Sequence, residues 1–270
     1  MHNGARFLAA TIESVLSQQF QDFELVISDD ASTDASLALA ESFDDSRIRI
    51  LRNEKNLGFG GNWNRCLTEA RGEFIKLLPQ DDLLHPDCLS TQVAALQTDA
   101  DPRLALVFCA RQIIAPNGIS VYRRGLGRSA LTLSRREILR RTVTSGTNPI
   151  GEPGAVLFRR SSAQRAGRFD GTLPFVIDLD YWLRLLEFGD ALYLPETLSS
   201  FRVSDQSHSV SLGSRQAREF SAFLENLGIA HGGPLPYRHV ARGKIAARLQ
   251  GIARMVFQRF AIALSGRSHP

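Results

Sequence analysis

The spacing of apolar residues in the first half of the chain alternates between a helical period and short continuous runs. The predicted elements are helices at residues 5–18, 35–43 and 62–70, and strands at residues 24–28, 48–51 and 74–78. Strands separated by helices usually pair in parallel through right-handed crossovers. We therefore expect an α/β fold with a mainly parallel central sheet flanked by helices.

The pattern changes after residue 82. A long apolar run at residues 104–114 is followed by Asn117-Gly118, a dipeptide typical of hairpin turns. Further predicted elements are helices at residues 86–98, 134–141, 161–166 and 178–188, and strands at residues 120–122, 156–159, 191–194 and 198–203. Residues 142–153 are rich in Gly, Pro, Thr and Asn, so we expect a loop there, close to a ligand.

The end of the chain is predicted to be helical. A polar stretch at residues 204–214 precedes helical patterns at residues 215–227 and 237–264. We therefore expect one domain over residues 1–205 and a C-terminal helical extension over residues 206–270. A chain of 270 residues is long enough to bury the core of such a domain.

The net charge of +4 is unevenly distributed. Residues 237–270 contain seven Lys or Arg and no Asp or Glu, whereas residues 1–236 contain 25 Lys or Arg and 28 Asp or Glu. The body of the protein is therefore not expected to bind nucleic acid. Three scattered cysteines indicate a reducing compartment rather than a disulfide framework. We expect a cytoplasmic protein, because no signal peptide and no apolar stretch of bilayer-spanning length is recognised.

Two acidic pairs follow two of the predicted strands. Asp29-Asp30 comes after residues 24–28, and Asp81-Asp82 comes after residues 74–78. Adjacent carboxylates in a core would cost free energy, because like charges repel and burial disfavours them. Ligands of open α/β sheets bind at the carboxyl ends of the strands. The pairs therefore indicate a nucleotide or metal site.

A third carboxylate, Asp178, opens the predicted helix at residues 178–188. Carboxylates beside a diphosphate can bind Mg²⁺ or Mn²⁺, and the cation then offsets charge on the departing diphosphate. A separate carboxylate can remove the proton from an attacking hydroxyl. The three acidic elements together suit transfer of a group from a nucleoside diphosphate. Each alone has a structural alternative, because Asp29, Asp30 and Asp178 could simply cap helices.

The motifs that carry a family resemblance occur in a fixed order along residues 1–205. In chain order they are Asn3-Gly4, Asp29-Asp30-x-Ser32-Thr33-Asp34, Asn56-x-Gly58, Arg71-Gly72-Glu73, Gln80-Asp81-Asp82 and Asp178-x-Asp180-x-Trp182-Leu183-Arg184. Each is weak alone, but their order and spacing resemble the family 2 glycosyltransferases. The resemblance implies the GT-A fold, a nucleotide-sugar donor, a divalent cation (Mg²⁺ or Mn²⁺) and transfer with inversion.

The resemblance also implies roles for individual residues. Asp29 and Asp30 would contact the nucleoside, with Asn3 and Asn56 beside the nucleotide. Asp82, with Asp81, would hold the metal and the diphosphate. Asp178 would be the general base that deprotonates the acceptor hydroxyl. The acceptor is expected to be a saccharide or a lipid-linked sugar, in polysaccharide or glycolipid synthesis of the cell envelope.

Three further residues are candidates for acceptor contact or for supporting the site. Asp180 is expected to be structural rather than catalytic and to pair with Arg184 one helical turn later. Trp182 lies at a position typical of a core residue. His208 could contact the metal or diphosphate, but it also fits a surface loop.

The chain departs from the family pattern in three places. Relatives begin with an apolar strand near the sheet centre, whereas only His2-Asn3-Gly4 follows Met1 here, so the usual first strand is expected to be missing. We expect a start assigned too late, with a shortened chain and a degraded relative as alternatives. Pro79 replaces an acid of the metal motif, and Ile177 replaces an acid before Asp178.

The predicted C-terminal helix combines an apolar stripe with arginines. It could pack on the body, lie on the inner face of an anionic membrane, or form a homodimer contact. Two functional alternatives also stay open. A non-catalytic binding protein would keep the scaffold without turnover, and a nucleotidyltransferase would share the fold.

Overall fold

The computed structural model describes residues 1–98, 103–172, 174–204, 215–230 and 241–253. The helices are α1 Ala5–Leu16, α2 Ser36–Glu41, α3 Gly58–Glu69, α4 Cys88–Gln97, α5 Arg135–Ser145, α6 Arg160–Ala166, α7 Ile177–Leu185 and α8 Arg215–Ala230. The strands are β1 Leu25–Asp29, β2 Ile48–Arg52, β3 Phe74–Ile75, β4 Leu83–Leu84, β5 Leu104–Ile114, β6 Ser120–Arg124, β7 Leu131–Leu133, β8 Val156–Arg159 and β9 Asp190–Arg202. Residues 241–253 form a further helix.

The main sheet is mixed, which corrects the expectation of a mainly parallel sheet. Seven strands follow the order β3-β8-β5-β9-β4, with β6 added on β5 and β7 added on β9. Only β5 and β9 pair in parallel within it, and the other neighbours are antiparallel. Apolar periodicity detects strands but carries no information on their direction, which depends on how the connections fold back.

A second sheet contains only β1 and β2, which pair in parallel. Among the described residues no strand joins β1 to β3. The space between the two sheets is a cavity of about 690 Å³ with mainly apolar walls. Met1 lies at its edge, where its ammonium donates to Ser28 O at 2.5 Å and its carbonyl accepts from Asp30 N at 2.8 Å.

Strand β9 runs through a region where two strands were predicted. Leu194 pairs with Cys109 and Thr197 pairs with Ala110, so Pro195 and Glu196 form a bulge between them. A proline lacks the N–H that a sheet ladder needs, so a bulge is where a strand accommodates it. The short strands β4 and β7 were not predicted, and α3 begins four residues earlier than expected because residues 58–61 are helical.

The principal core lies between the main sheet and α7. Trp182, Tyr181 and Phe158 are almost completely buried there. Helix α8 belongs to the same core through Phe220, Phe223, Leu224 and Leu227. Within the helix at residues 241–253, Ala247 is buried, whereas Ile245, Leu249 and Ile252 are 56–63% exposed. The part of the chain that the structure describes has no helix long and apolar enough to span a bilayer.

Candidate active site

The first acidic pair lies at the end of β1 and is buried. Asp29 and Asp30 are each 3% exposed. Asp30 Oδ1 accepts hydrogen bonds from Asn53 Nδ2 at 2.6 Å and from Leu57 N at 2.7 Å. Asp29 Oδ2 accepts from Ser32 N at 3.3 Å, whereas its Oδ1 has no partner among the described residues. Neither carboxylate caps α2. Asp30 Oδ1 and Asp29 Oδ2 are therefore satisfied by loop and side-chain donors, and the buried Asp29 Oδ1 can still accept a hydrogen bond.

Asn3 and Asn56 lie close to this pair and are exposed. Asn3 Oδ1 accepts from Thr33 N at 2.8 Å. Asn56 Nδ2 lies 3.2 Å from His2 Nδ1, and the same ring nitrogen lies 2.9 Å from Asp30 O. His2 was not predicted as a site residue, although its position beside Asn3 in the sequence was the available signal.

The second acidic pair is positioned by α1 and β9. Asp82 is 1% exposed, and its Oδ1 accepts from Arg202 N at 2.9 Å. Arg202 Nε donates to Asp81 O at 2.9 Å. Thr11 Oγ1 lies 2.9 Å from the carbonyl oxygens of both Gln80 and Asp82. These contacts fix the backbone that presents the two carboxylates.

Burial and like charge set the protonation of this pair. Burial raises the pKa of Asp82 well above its usual value, and the charge of Asp81 raises it further. The pKa of Asp81 is also raised, chiefly by burial. A cation bound nearby would stabilise the ionised form of both carboxylates, because it offsets the cost of burial and the repulsion between their charges.

The two acidic pairs are brought together by one side chain, Gln80. His2 N donates to Gln80 Oε1 at 2.6 Å, and Gln80 Nε2 donates to His2 O at 3.0 Å. The adjacent residues Asp81 and Asp82 are thereby held next to the segment that borders Asp30. That both pairs line one ligand site stays a prediction.

The donor set of Asp81 and Asp82 fits a divalent cation. Carboxylate oxygens are hard ligands, and Asp82 Oδ2 is not engaged by Arg202. Among the described residues no group of three His, Cys, Asp or Glu side chains is arranged to hold a metal alone. Magnesium is commonly bound by one or two carboxylates together with substrate phosphates, so two carboxylates suffice when a diphosphate supplies further oxygens.

Asp178 lies in the first turn of α7, and the N-cap position is taken by Val176. Asp178 Oδ2 accepts from Asn148 Nδ2 at 3.0 Å, and Oδ1 accepts from Leu179 N at 2.7 Å. Burial raises the pKa of Asp178 to about 7, with a further contribution from the charge of Glu152. A carboxylate with such a pKa can accept a proton near neutral pH, which is what a general base requires.

The loop that supports Asp178 begins after α5, which ends at Ser145 rather than at residue 141 as predicted. Asn148 Oδ1 accepts from Ile150 N and Gly151 N, both at 3.0 Å, and so closes a tight turn. Its Nδ2 also donates to Gly151 O at 3.1 Å. The sequence predicted a loop near the ligand here, but composition alone gave no signal for Asn148 as the contact to Asp178.

The three remaining candidates have different positions. Asp180 forms the predicted ion pair with Arg184, with Oδ2 and Nη2 separated by 2.8 Å. Trp182 is completely buried and donates from Nε1 to Gly151 O at 3.1 Å, so it supports the loop and has no surface for an acceptor. His208 lies outside the described residues.

The chain is similar to several known proteins in sequence. It is 32% identical over 206 residues to the uncharacterized protein MT1568 of Mycobacterium tuberculosis, covering 74% of this chain and 64% of that protein. It is 39% identical over 100 residues to the putative glycosyltransferase EpsE of Bacillus subtilis, covering 36% of each chain. The chain therefore spans less than two thirds of the length of these relatives.

Two solved structures share its fold. Residues 1–349 of Staphylococcus aureus TarS, in complex with UDP-GlcNAc, superpose with a TM-score of 0.69 at 17% identity, covering 97% of this chain and 71% of that one. The mannosyltransferase PcManGT of Pyrobaculum calidifontis, in complex with GDP-Man and Mn²⁺, gives 0.64 at 18% identity, covering 100% and 74%. The fold is thus of the GT-A type expected from the sequence.

The family of the chain follows from a sequence match that covers more than half of its residues. The profile described as Glycosyl transferase family 2 matches residues 1–167, which include both acidic pairs. Asp178 lies just beyond that range. The chain belongs to glycosyl transferase family 2.

Proposed function

We propose that this protein transfers a sugar, with inversion, from a nucleoside-diphosphate sugar to an acceptor hydroxyl. The observation that carries the proposal is Asp178, a half-buried carboxylate that Asn148 holds and whose pKa is raised to about 7. Its supporting loop contains Glu152, whose charge also acts on Asp82. A proton acceptor and a diphosphate-binding pair therefore belong to one site.

The donor is proposed to bind across the ends of β1 and β4. Asp29 and Asp30, together with Asn3 and Asn56, would contact the nucleoside through hydrogen bonds. The unpartnered Asp29 Oδ1 is the acceptor best suited to a base N–H or a ribose hydroxyl, because a buried acceptor without a donor costs free energy. The solved neighbours bind UDP-GlcNAc and GDP-Man, which supports a nucleotide-sugar donor.

Asp81 and Asp82 would hold the divalent cation and, through it, orient the diphosphate. When bound, the cation would offset the negative charge that develops on the departing diphosphate. The neighbour that binds Mn²⁺ supports this choice of cofactor. The hydrogen bonds from Arg202 and Thr11 keep the two carboxylates in place before the donor arrives.

Asp178 is proposed to take the proton of the attacking hydroxyl. In a direct displacement the acceptor oxygen forms the new bond to the anomeric carbon, while the bond to the diphosphate oxygen breaks on the opposite face. The hydroxyl proton passes to Asp178, and the electron pair leaves with the diphosphate. Asn148 holds the Asp178 carboxylate while this occurs.

The acceptor is proposed to be a saccharide or a lipid-linked sugar of the cell envelope. A related glucosyltransferase of Escherichia coli, named for a diphosphoundecaprenol-linked acceptor, supports this class. The helix at residues 241–253 would contact an anionic membrane surface. Ile245, Leu249 and Ile252 are exposed along one stripe, and Arg242 and Arg248 are exposed beside it.

A donor-binding protein without turnover is the second candidate. One observation favours it, because the β1–β2 sheet is not hydrogen-bonded to the main sheet among the described residues. A mobile nucleoside half could still bind a donor while failing to align it for displacement. Transfer needs near-attack geometry, which binding does not.

The experiment is an assay of nucleoside-diphosphate release from a panel of UDP- and GDP-sugars with Mn²⁺ or Mg²⁺ and a saccharide acceptor mixture. Release that depends on both acceptor and cation would support the proposal. Binding of a donor by calorimetry without release under any condition would favour the second candidate. Absence of both binding and release would sink the assignment of the site.

A further inference from the structure

The residue before Asp178 is Ile177, which carries no charge, so a negative charge close to Asp178 has to come from a distant part of the chain. The structure supplies it through Glu152, which lies 26 positions earlier, in the loop that Asn148 organises. Glu152 has no role in the displacement proposed above. It is a half-buried carboxylate next to the site, and its surroundings are unusually charged.

Two arginines hold Glu152 in place. Arg111, on β5, is 2% exposed and forms an ion pair from Nε to Glu152 Oε2. Arg124, on β6, lies 3.9 Å from Glu152 Oε1 and donates from Nη2 to Thr147 Oγ1 at 2.7 Å. The two guanidinium groups therefore approach Glu152 from two adjacent strands, which fixes the direction of its carboxylate.

The backbone around Glu152 is shaped to fit Arg111. Gly151 has φ of +112°, a conformation that residues with a side chain rarely adopt. A Cβ added at Gly151 would overlap the Arg111 guanidinium. Arg111 Nη1 also lies 3.4 Å from Ile150 O. The loop is thus closed onto the arginine over three consecutive residues.

The same loop contacts Asp178 directly. Asn148 Nδ2 bridges Gly151 O and Asp178 Oδ2, and Trp182 Nε1 donates to Gly151 O one turn further along α7. Gly151 is therefore bonded to Asn148, packed on Arg111 and followed by Glu152. A displacement of Glu152 would be passed to Asp178 through this single peptide unit.

We propose that Glu152, held by Arg111 and Arg124, is a positioning residue that keeps Asp178 in place and makes its carboxylate a stronger proton acceptor. The proposal rests on the proposed function only in assigning a use to Asp178. The arrangement itself is independent of any substrate. It also explains how Asp178 has a negative neighbour although Ile177 precedes it.

The charges around Asp178 act in a definite direction. Burial would raise the pKa of Glu152, but Arg111 and Arg124 lower it below its usual value, so Glu152 stays ionised. The burial of Asp178, together with the negative charge of Glu152, raises the pKa of Asp178. The charge of Asp178 acts on Arg124, a cation of the same region, and Asn148 is a neutral donor to Asp178. On α7 itself, Asp180 is neutralised by Arg184.

The test is a carboxyl ¹³C NMR titration of protein labelled at aspartate, with the Asp178 signal assigned by its loss in Asp178→Asn. Glu152→Gln is expected to lower the pKa of Asp178 by about one unit, because a like charge is removed. Arg124→Gln is expected to raise it. Glu187→Gln, which removes the carboxylate of a remote ion pair with Arg135, is the matched control and should leave it unchanged.

An unchanged Asp178 titration in folded Glu152→Gln would overturn the proposal. If that variant does not fold because Arg111 is left unpaired, Arg111→Gln/Glu152→Gln removes both charges and should still lower the pKa. A rise or no change in this double variant would equally count against Glu152.

Kinetics separate this proposal from the proposed function. If turnover is measurable, Glu152→Gln should move the acidic limb of the kcat profile to lower pH with an unchanged KM for the donor, and Glu152→Asp should restore it. Loss of stability and a raised KM without a shift of the limb would indicate a merely structural role and refute the proposal. A shifted Asp178 titration in a protein that releases no nucleoside diphosphate would refute the proposed function and leave the role of Glu152 intact.

Discussion

The two halves of the candidate site differ in what surrounds their carboxylates. Asp29 and Asp30, on the small β1–β2 sheet, accept hydrogen bonds from neutral donors such as Asn53 and Leu57 N. Asp82, directly before β4, and Asp178, in the first turn of α7, both have a raised pKa, chiefly because of burial and further because of the charge of other carboxylates. Hydrogen-bond donors stabilise an ionised carboxylate, whereas burial and the charge of neighbouring carboxylates favour a bound proton or cation.

The halves also differ in how they are joined to the fold. β5 is buried along nearly its whole length between β8 and β9. β1 is paired on one side only, and a cavity of about 690 Å³ lies on the other. Rigid surroundings hold reacting groups within tight limits, whereas a recognition surface tolerates adjustment. We call the β1–β2 sheet with Asp29 and Asp30 the nucleoside half, and the main-sheet region with Asp82 and Asp178 the catalytic half, after their proposed roles. We expect substitutions in one half to change turnover or donor binding with little effect on the other quantity.

The largest expected effect is from Asp178→Asn. Removing the proposed general base should reduce kcat by about 10²- to 10⁴-fold, while the donor Kd changes little because Asp178 is not among the residues proposed to contact the nucleoside. Nucleoside-diphosphate release and calorimetric donor binding measure the two quantities. The exposed Asp170→Asn is a matched control. Equal losses of turnover and donor affinity would argue against a role as base.

Next in size is Asp82→Asn. Loss of one of the two carboxylates proposed to bind the cation should lower kcat by about 10²- to 10³-fold, the magnitude typical for losing an electrostatic contact at the transition state. The dependence of donor affinity on Mn²⁺ should disappear as well. Asp44→Asn, at an exposed position of the nucleoside half, is the control. A variant that keeps its Mn²⁺ dependence would show that the cation binds elsewhere.

The pH dependence of Asp178 gives two linked predictions. Since its pKa is about 7, kcat should fall roughly tenfold per pH unit below neutrality.

The folded protein binds the Asp178 proton more tightly than the unfolded chain does. The contribution of this proton to stability is therefore complete below pH about 4 and is lost as pH rises through 7. Asp178→Asn should therefore stabilise the protein by about 1–3 kcal/mol at pH 8 and much less at pH 4. Urea unfolding at both values measures this, and an equal effect at both would contradict it.

A smaller effect is expected in native-state hydrogen exchange. Amides of β1 and β2 should exchange roughly tenfold or more faster than those of β5, because a two-stranded sheet beside a cavity opens locally at lower cost. Addition of the nucleotide-sugar donor should slow β1 and leave β5 unchanged. Equal protection of β1 and β5 without donor would mean that the two halves unfold together, and the comparison would fail.

The smallest effect concerns the helix at residues 241–253. Arg242→Glu/Arg248→Glu should weaken binding to vesicles containing anionic phosphatidylglycerol by about tenfold or more, since each basic residue near such a surface contributes about 1 kcal/mol. Sedimentation with vesicles measures this. Neutral vesicles and Arg136→Glu, on α5, serve as controls. If vesicle binding does not depend on these charges and the protein is a dimer in solution, the exposed apolar stripe would instead contact a second copy of the chain.

The sequence predicted the acidic residues of the site better than their supports. Both acidic pairs and Asp178 are recognisable because they follow apolar segments, and the Asp180–Arg184 pair because residues four apart share a helix face. Arg202, Thr11 and Gln80 were not predicted. Arg202 N and Asp82 are 120 positions apart, and no local pattern records such a contact.

What the sequence determined by itself was the alternation of helix and strand, the places where carboxylates emerge, and the uneven charge of the C-terminal region. These are local properties, since periodicity and turn chemistry depend on neighbouring residues. Strand direction and the placing of Glu152 against Arg111 were decided by tertiary structure alone. The chemistry of Asp178 belongs to this second group, because a pKa depends on burial and on charges that only folding brings near.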